Sequence, residues 1–171
     1  IIYTPFRLAR LVSFRDPFAP EFELSSGWQL SNALFGIGRG DLFGIGLGNS
    51  IQKNLYLPEP HTDFIFAIIL EETGIIGGFL LMLLFILLIT SIVQISFDAL
   101  RQNRLFQGYV CFGIGSLLSI QSIFNIGVNI GLLPTKGLTL PFISYGGASL
   151  IIFMLMMGIV FRVDFENRNL D

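Results

Sequence analysis

Five ionisable side chains crowd one short stretch of this chain: Glu59, His61, Asp63, Glu71 and Glu72, within residues 58–72. A proline-flanked turn, Leu57-Pro58-Glu59-Pro60-His61-Thr62-Asp63, runs directly into the apolar Phe64-Ile65-Phe66. A carboxylate at such a boundary is partly desolvated, which raises its proton affinity and suits it to general-base work. The same oxygens can instead hold a divalent cation, and Thr62 or Asp63 can cap a helix beginning near Phe64. Ionisable groups at a membrane mouth are costly and tend to be functional, which makes Asp63 the leading candidate for chemistry. Zinc fits poorly, because it takes three or four ligands, and His61 is the one histidine and Cys111 the one cysteine.

Other residues are candidates by type and spacing. Gln121, Asn125 and Asn129 recur every four positions, so on a helix they lie along one face. Such a stripe serves either interhelical hydrogen bonding or a hydrated groove for a polar substrate. Lys136, in a connection too apolar for an ordinary exposed loop, can anchor a phosphate as a point charge or snorkel to headgroups. A connection of that kind dips toward the bilayer only where protein or water satisfies its backbone. Six glycines between positions 35 and 49 suggest a nucleotide loop, but they match neither a Walker pattern nor G-x-G-x-x-G. They indicate a tight turn with close backbone approach, and no nucleotide cofactor. Gly74 with Gly78 and Gly127 with Gly131 have the spacing of close helix packing.

The elements that position these residues are set by where charge is missing. The 171 residues are 53% hydrophobic and 13% charged, with a mean hydropathy of +0.74, whereas soluble domains carry about 25% charged residues. No Asp, Glu, Lys or Arg occurs in 73–97, 105–135 or 137–161, and each gap can hold a span of about 20 residues. The expected class is therefore all-α and polytopic, with membrane helices over about 74–95, 106–130 and 143–161. An outer connection over 131–142 and a cytoplasmic tail over 164–171 complete that part. Residues 1–73 carry most of the acidic groups and are expected to hold the end of a preceding span and a large loop with short helices. The start on Ile1, without Met or leader, suggests a truncation.

Orientation follows from the short connections. Arg101 and Arg104 lie between the first two spans, and Arg162 and Arg168 follow the third, so that side is expected to be cytoplasmic. By parity Asp63 and Lys136 share the outer face, 73 positions apart, and can share a site. A net charge of −2 excludes a basic nucleic-acid-binding face.

At these residues the sequence resembles the SEDS family (shape, elongation, division and sporulation), from about Phe6 to the tail. The resemblance is carried by Gly46-Leu47-Gly48-Asn49-Ser50-Ile51-Gln52-Lys53, Leu57 to Phe64, Glu71-Glu72-Thr73-Gly74 and the stretch from Gly131 to Gly147. The Asn-Ser-x-Gln-Lys signature and Leu-Pro-Thr-Lys-Gly-Leu-Thr-Leu-Pro are closer to the division branch than to the elongation branch. Two departures stand out: Ala148 where members commonly have Ser, with Ser149 following, and Leu55 where some carry an acidic residue.

The resemblance implies a ten-span peptidoglycan glycosyltransferase, of which this chain would be the last three spans and the outer loop before them. Its substrate would be lipid II, a disaccharide-peptide on undecaprenyl pyrophosphate. It places the essential acid on Asp63 and an important basic residue on Lys136. His61, Glu59, Lys53, Gln52 and Ser144 join Lys136 as substrate-binding candidates, and Asp63 is also the metal-ligand candidate, for Mg or Mn. One of Arg7, Arg10 and Arg15 is a further candidate to stabilise the leaving pyrophosphate.

The implied partners are lipid II and the growing glycan strand, a class B penicillin-binding transpeptidase, other division proteins and the bilayer. The implied location is the bacterial inner membrane at the septum. A lipid II flippase and a non-catalytic division scaffold are the competing readings. The 171 residues alone are expected to be inactive.

Overall fold

The computed structural model describes residues 27–52, 62–135 and 137–169. They form α1 (Trp28–Gly40), α2 (Ile65–Arg101), α3 (Leu105–Asn129) and α4 (Gly147–Asn169), with no strand among the described residues. The latter three are long and apolar enough to cross a membrane. They meet in a core of Ile92, Ala99, Cys111, Leu118, Phe153 and Val160. Their outward faces expose Phe79, Leu84, Ile123, Ile151 and Leu155, a band of apolar surface that suits hydrocarbon rather than water.

The helix limits differ from those expected from charge alone. Helix α2 begins at Ile65, ahead of 74, because Glu71 does not end it: its carboxylate is fully buried and hydrogen-bonded. Helix α4 starts at Gly147, four positions after 143. Before it, Ile143 and Ser144 donate their N–H groups to the Leu140 carbonyl, making a turn, and Phe142 has a positive φ of 65°. At its far end α4 runs through most of the expected tail to Asn169. Arg162–Glu166 and Arg168–Asp164, at 2.8 and 3.1 Å, are ion pairs at the helical i,i+4 spacing that support this extension.

Helix α2 is interrupted at Gly74, where φ is 73° and ψ is −174°. In an unbroken helix Ile75 and Ile76 would donate to Glu71 and Glu72. Here they donate instead to the carbonyls of Asp41 and Leu42, at 3.0 and 3.3 Å. The carbonyls of Glu71 and Glu72 accept from Ile45 and Gly46, both at 3.1 Å. The turn after α1 is thus spliced into the backbone ladder of α2, and the break leaves none of these four peptide groups unpaired. Glycine is required at the crossing, since a Cβ on Gly74 would overlap the Leu42 carbonyl oxygen and one on Gly44 that of Glu72. The close packing expected of Gly74 and Gly78 thus takes a different form. Gly74 makes the break, and Gly78 meets Leu70 and Phe66 from the part of α2 before that break. Gly127 likewise faces Leu133, just beyond its own helix.

Candidate active site at the Asp63 turn

Asp63 lies in the turn leading into α2. The N-cap position falls on Phe64, not on Thr62 or Asp63. Three positions on, the Ala67 N–H receives its acceptor from another element: Asn129 Oδ1, on α3, at 3.0 Å. This satisfies a helix-start donor that local capping would otherwise serve.

The stripe on α3 is bonded mainly to backbone carbonyls. Asn125 and Asn129 are 1% and 0% exposed, so no water-filled groove runs past these two. Asn125 Nδ2 donates to the Asp63 carbonyl at 3.1 Å and to the Leu138 carbonyl at 2.5 Å. Asn129 Nδ2 donates to the same Asp63 carbonyl at 2.9 Å and to the Asn125 carbonyl at 2.9 Å. Gln121 Nε2 reaches the Thr139 carbonyl at 3.0 Å.

Ser144 closes the arrangement from the other side. Its hydroxyl donates to the Thr62 carbonyl at 2.6 Å and accepts from the Leu140 N–H at 2.7 Å. It is buried, so its proton is engaged in holding backbone rather than offered to a ligand. The connection after α3 is therefore tied to the helices at Leu138, Thr139 and Leu140 by bonds from Asn125, Gln121 and Ser144, and Leu140 joins a core with Phe66, Leu70 and Phe85. A bulky residue at positive φ is a genuine outlier, and Phe142 is held there by the turn and by its ring 5.4 Å from that of Phe153.

These bonds bring the Asp63 carboxylate against the connection. A Cβ built on Gly137 would lie 3.2 Å from Asp63 Oδ2 and 3.9 Å from its Cγ. Gly137 directly follows Lys136 in the chain. Lys136 lies outside the described residues, as do Lys53, Glu59, His61 and the three N-terminal arginines.

Glu71, another acid of the crowd, is placed elsewhere. Glu71 accepts from Ser50 Oγ at 2.5 Å and from the Ile51 N–H at 3.3 Å, beside Gly36 of α1. It staples the segment after the glycine turn to α2. Gln52 is next to this staple, its Cγ 3.2 Å from a Cβ built on Gly36, and its Oε1 is buried without a hydrogen-bond partner among the described residues. Among the described residues no three His, Cys, Asp or Glu side chains gather where a metal ion would sit. The donor set on view is thus thin for a divalent cation, and no chemical step is assigned to one.

The Ser50–Glu71 bond and the Asn129 bond to Ala67 were not read from sequence. The first joins residues 21 positions apart and the second 62 apart, and only the spacing of the stripe hinted at the latter.

Spanning helices, an inserted connection satisfied by protein and a carboxylate at their junction define a multi-pass α-helical membrane protein with a polar site at one end of its bundle. The chain belongs to the FtsW, RodA and SpoVE family of cell cycle proteins, whose profile matches residues 1–169. It is 54% identical over 168 residues to a protein of Coxiella burnetii named "Probable peptidoglycan glycosyltransferase FtsW", covering 98% of this chain and 45% of that protein. A protein of Marinomonas mediterranea with the same name is 54% identical over 163 residues, covering 95% and 40% respectively. A solved structure described as "Structural coordination of polymerization and crosslinking by a peptidoglycan synthase complex" superposes with a TM-score of 0.69 at 27% identity, covering 98% of this chain and 44% of that one. The chain thus spans less than half the length of these relatives.

Proposed function

We propose that this chain carries the catalytic outer part of a peptidoglycan glycosyltransferase that joins lipid II units into septal glycan during cell division. Asp63 acts as the general base, taking the proton from the 4-hydroxyl of the acceptor's N-acetylglucosamine. That oxygen attacks the anomeric carbon of the donor's N-acetylmuramic acid, the bond to the pyrophosphate oxygen breaks with inversion, and undecaprenyl pyrophosphate departs. The energy is already in the donor linkage, so no nucleotide is needed. Lys136, next to Gly137, would stabilise the leaving charge as a fixed cation does in phosphoryl chemistry.

The observation that carries this reading is the approach of the Asp63 carboxylate to Gly137, which brings the acid-bearing turn and the Lys136-bearing connection together at one end of the bundle. The relatives' names agree with it. The reading also includes a bacterial cytoplasmic membrane location at the septum, with Asp63 on the outer face, and a class B penicillin-binding transpeptidase as partner. A flippase would use a hydrated polar path through the bundle, whereas Asn125 and Asn129 of the stripe that suggested one are buried and bonded to backbone.

The test is lipid II polymerisation by the purified full-length protein with its transpeptidase, comparing wild type, Asp63→Asn and Lys136→Ala. Glycan synthesis collapses in the first and falls in the second. Wild-type turnover by Asp63→Asn would remove the base from the mechanism.

A further inference from the structure

A general base is useful only if its oxygen is held at the right place, and the fixing of Asp63 begins at its backbone. A peptide carbonyl has two lone-pair directions. The Asp63 carbonyl receives two carboxamide donors from successive turns of α3, Asn125 Nδ2 at 3.1 Å and Asn129 Nδ2 at 2.9 Å. Two such bonds restrain the peptide plane that follows Asp63, and with it the direction in which its side chain leaves the backbone.

The two asparagines differ in what else they hold. Asn129 returns to the same segment, accepting from the Ala67 N–H at 3.0 Å. Asn125 reaches a different segment, donating at 2.5 Å to the Leu138 carbonyl of the connection. Its amide nitrogen has two hydrogens, one for each side of the site. Among the described residues no other α3 side chain bridges the two: Gln121 bonds there to Thr139, within the connection. The Asn125 side of the bridge is buried, which limits competition from water.

We propose that Asn125 is a positioning residue that sets the register between the Asp63 turn and the 137–140 connection, so that the carboxylate and the residues adjoining Gly137 face one substrate position. The inference rests on the reading of Asp63 as the base. Asn125 touches no substrate. It acts through the two backbone carbonyls that it holds together, and Gln121 anchors the same connection without reaching Asp63. This difference makes Gln121 the control.

The experiment uses the full-length protein with its transpeptidase, lipid II as substrate, and the variants Asn125→Leu, Gln121→Leu, Asp63→Asn and the double variant Asp63→Asn/Asn125→Leu. Small displacements of a reacting group cost about 100-fold, so Asn125→Leu is expected to lower kcat by about 10- to 100-fold per folded molecule. KM for lipid II and co-purification of the transpeptidase stay near wild type. Gln121→Leu loses much less. Because Asn125 works through Asp63, the double variant is no slower than Asp63→Asn alone, as expected for groups that act as one unit.

Asn125→Leu turnover within a factor of two of wild type, or equal losses in Asn125→Leu and Gln121→Leu, would overturn the positioning role while leaving the base intact. Wild-type turnover by Asp63→Asn would overturn the base reading and this one with it. Should Asn125→Leu fail to accumulate, Asn125→Ser, which keeps a hydroxyl donor in a smaller volume, is judged by the same criteria.

Discussion

The two ends of the helical bundle solve one problem with one chemical group and reach different results. At the Arg101 end, Gln102 donates to the Asn167 carbonyl at 3.0 Å, Asn167 donates to the Ile95 carbonyl at 3.1 Å, and Ser96 ties the Gly108 carbonyl at 2.8 Å. Carboxamides and a hydroxyl hold backbone there, as they do at the Asp63 end. Yet Gln102 Oε1 and Asn167 Oδ1 have no hydrogen-bond partner among the described residues, whereas Asn125 and Asn129 have no such orphan atom.

Charge is handled differently as well. Asp98, Asp164 and Glu166 each pair with an arginine of their own helix, and those arginines are largely exposed. Asp63 is placed by backbone bonds against a separate segment of chain. The Arg101 end is a joint. The Asp63 end is a joint built around an ionisable group, and the proposed chemistry rests on that added feature.

The contrast can be broken or sharpened by substitution, and the largest effect is expected at Asp63. Removing a general base costs roughly 100- to 10,000-fold, so Asp63→Asn in the full-length enzyme should reduce lipid II turnover by at least about 100-fold. Arg168→Gln at the other end, assayed in parallel, should leave turnover within about twofold, as expected for an exposed pair.

Next comes Gly74→Val. The φ of 73° and the Leu42 carbonyl oxygen leave no room for a side chain. A strained backbone costs about 1–3 kcal/mol before any clash, and denaturation in detergent should show a loss at or above that range. Asn129→Leu should cost about 2 kcal/mol, because it leaves the buried Ala67 N–H without an acceptor. It should also speed hydrogen exchange at the start of α2. The smallest effect is expected from Asn167→Leu, about 1 kcal/mol or less, with polymerisation unchanged. If Asn167→Leu impaired turnover as much as Asn129→Leu, the functional difference between the ends would disappear.

Much of this was legible in the amino-acid order, and what was not has a physical reason. The spanning helices follow from long uncharged stretches, and Asp63 stood out because a charge abutting Phe64-Ile65-Phe66 is expensive. The stripe of Gln121, Asn125 and Asn129 was visible as a period of four, but its use was not. A carboxamide bonds equally well to water, a sugar or a peptide group, and only the fold selects among them. The expected start near 74 coincides with the break at Gly74, but the helical turns before it were missed because counting charges treats Glu71 as a boundary, while Ser50 and the Ile51 N–H keep it buried inside the helix. Gly74 was taken for packing because its spacing to Gly78 mimics a helix contact. A break repaired by a loop some 30 positions earlier leaves no local signature. Rules of capping and periodicity act within a turn or two, whereas the Ser50–Glu71 bond, the Asn129–Ala67 bond and the splice at Gly74 join residues much farther apart.

The splice at Gly74 has a mechanical consequence. Ile45, Gly46, Ile75 and Ile76 donate across the crossing in both directions, so α1 cannot lift away without opening the ladder of α2. Their amides should exchange with solvent deuterium as one cooperative unit rather than one by one. A load applied at α1 would pass into residues 75–101 through main-chain groups, and no truncation of a single side chain would disconnect the two.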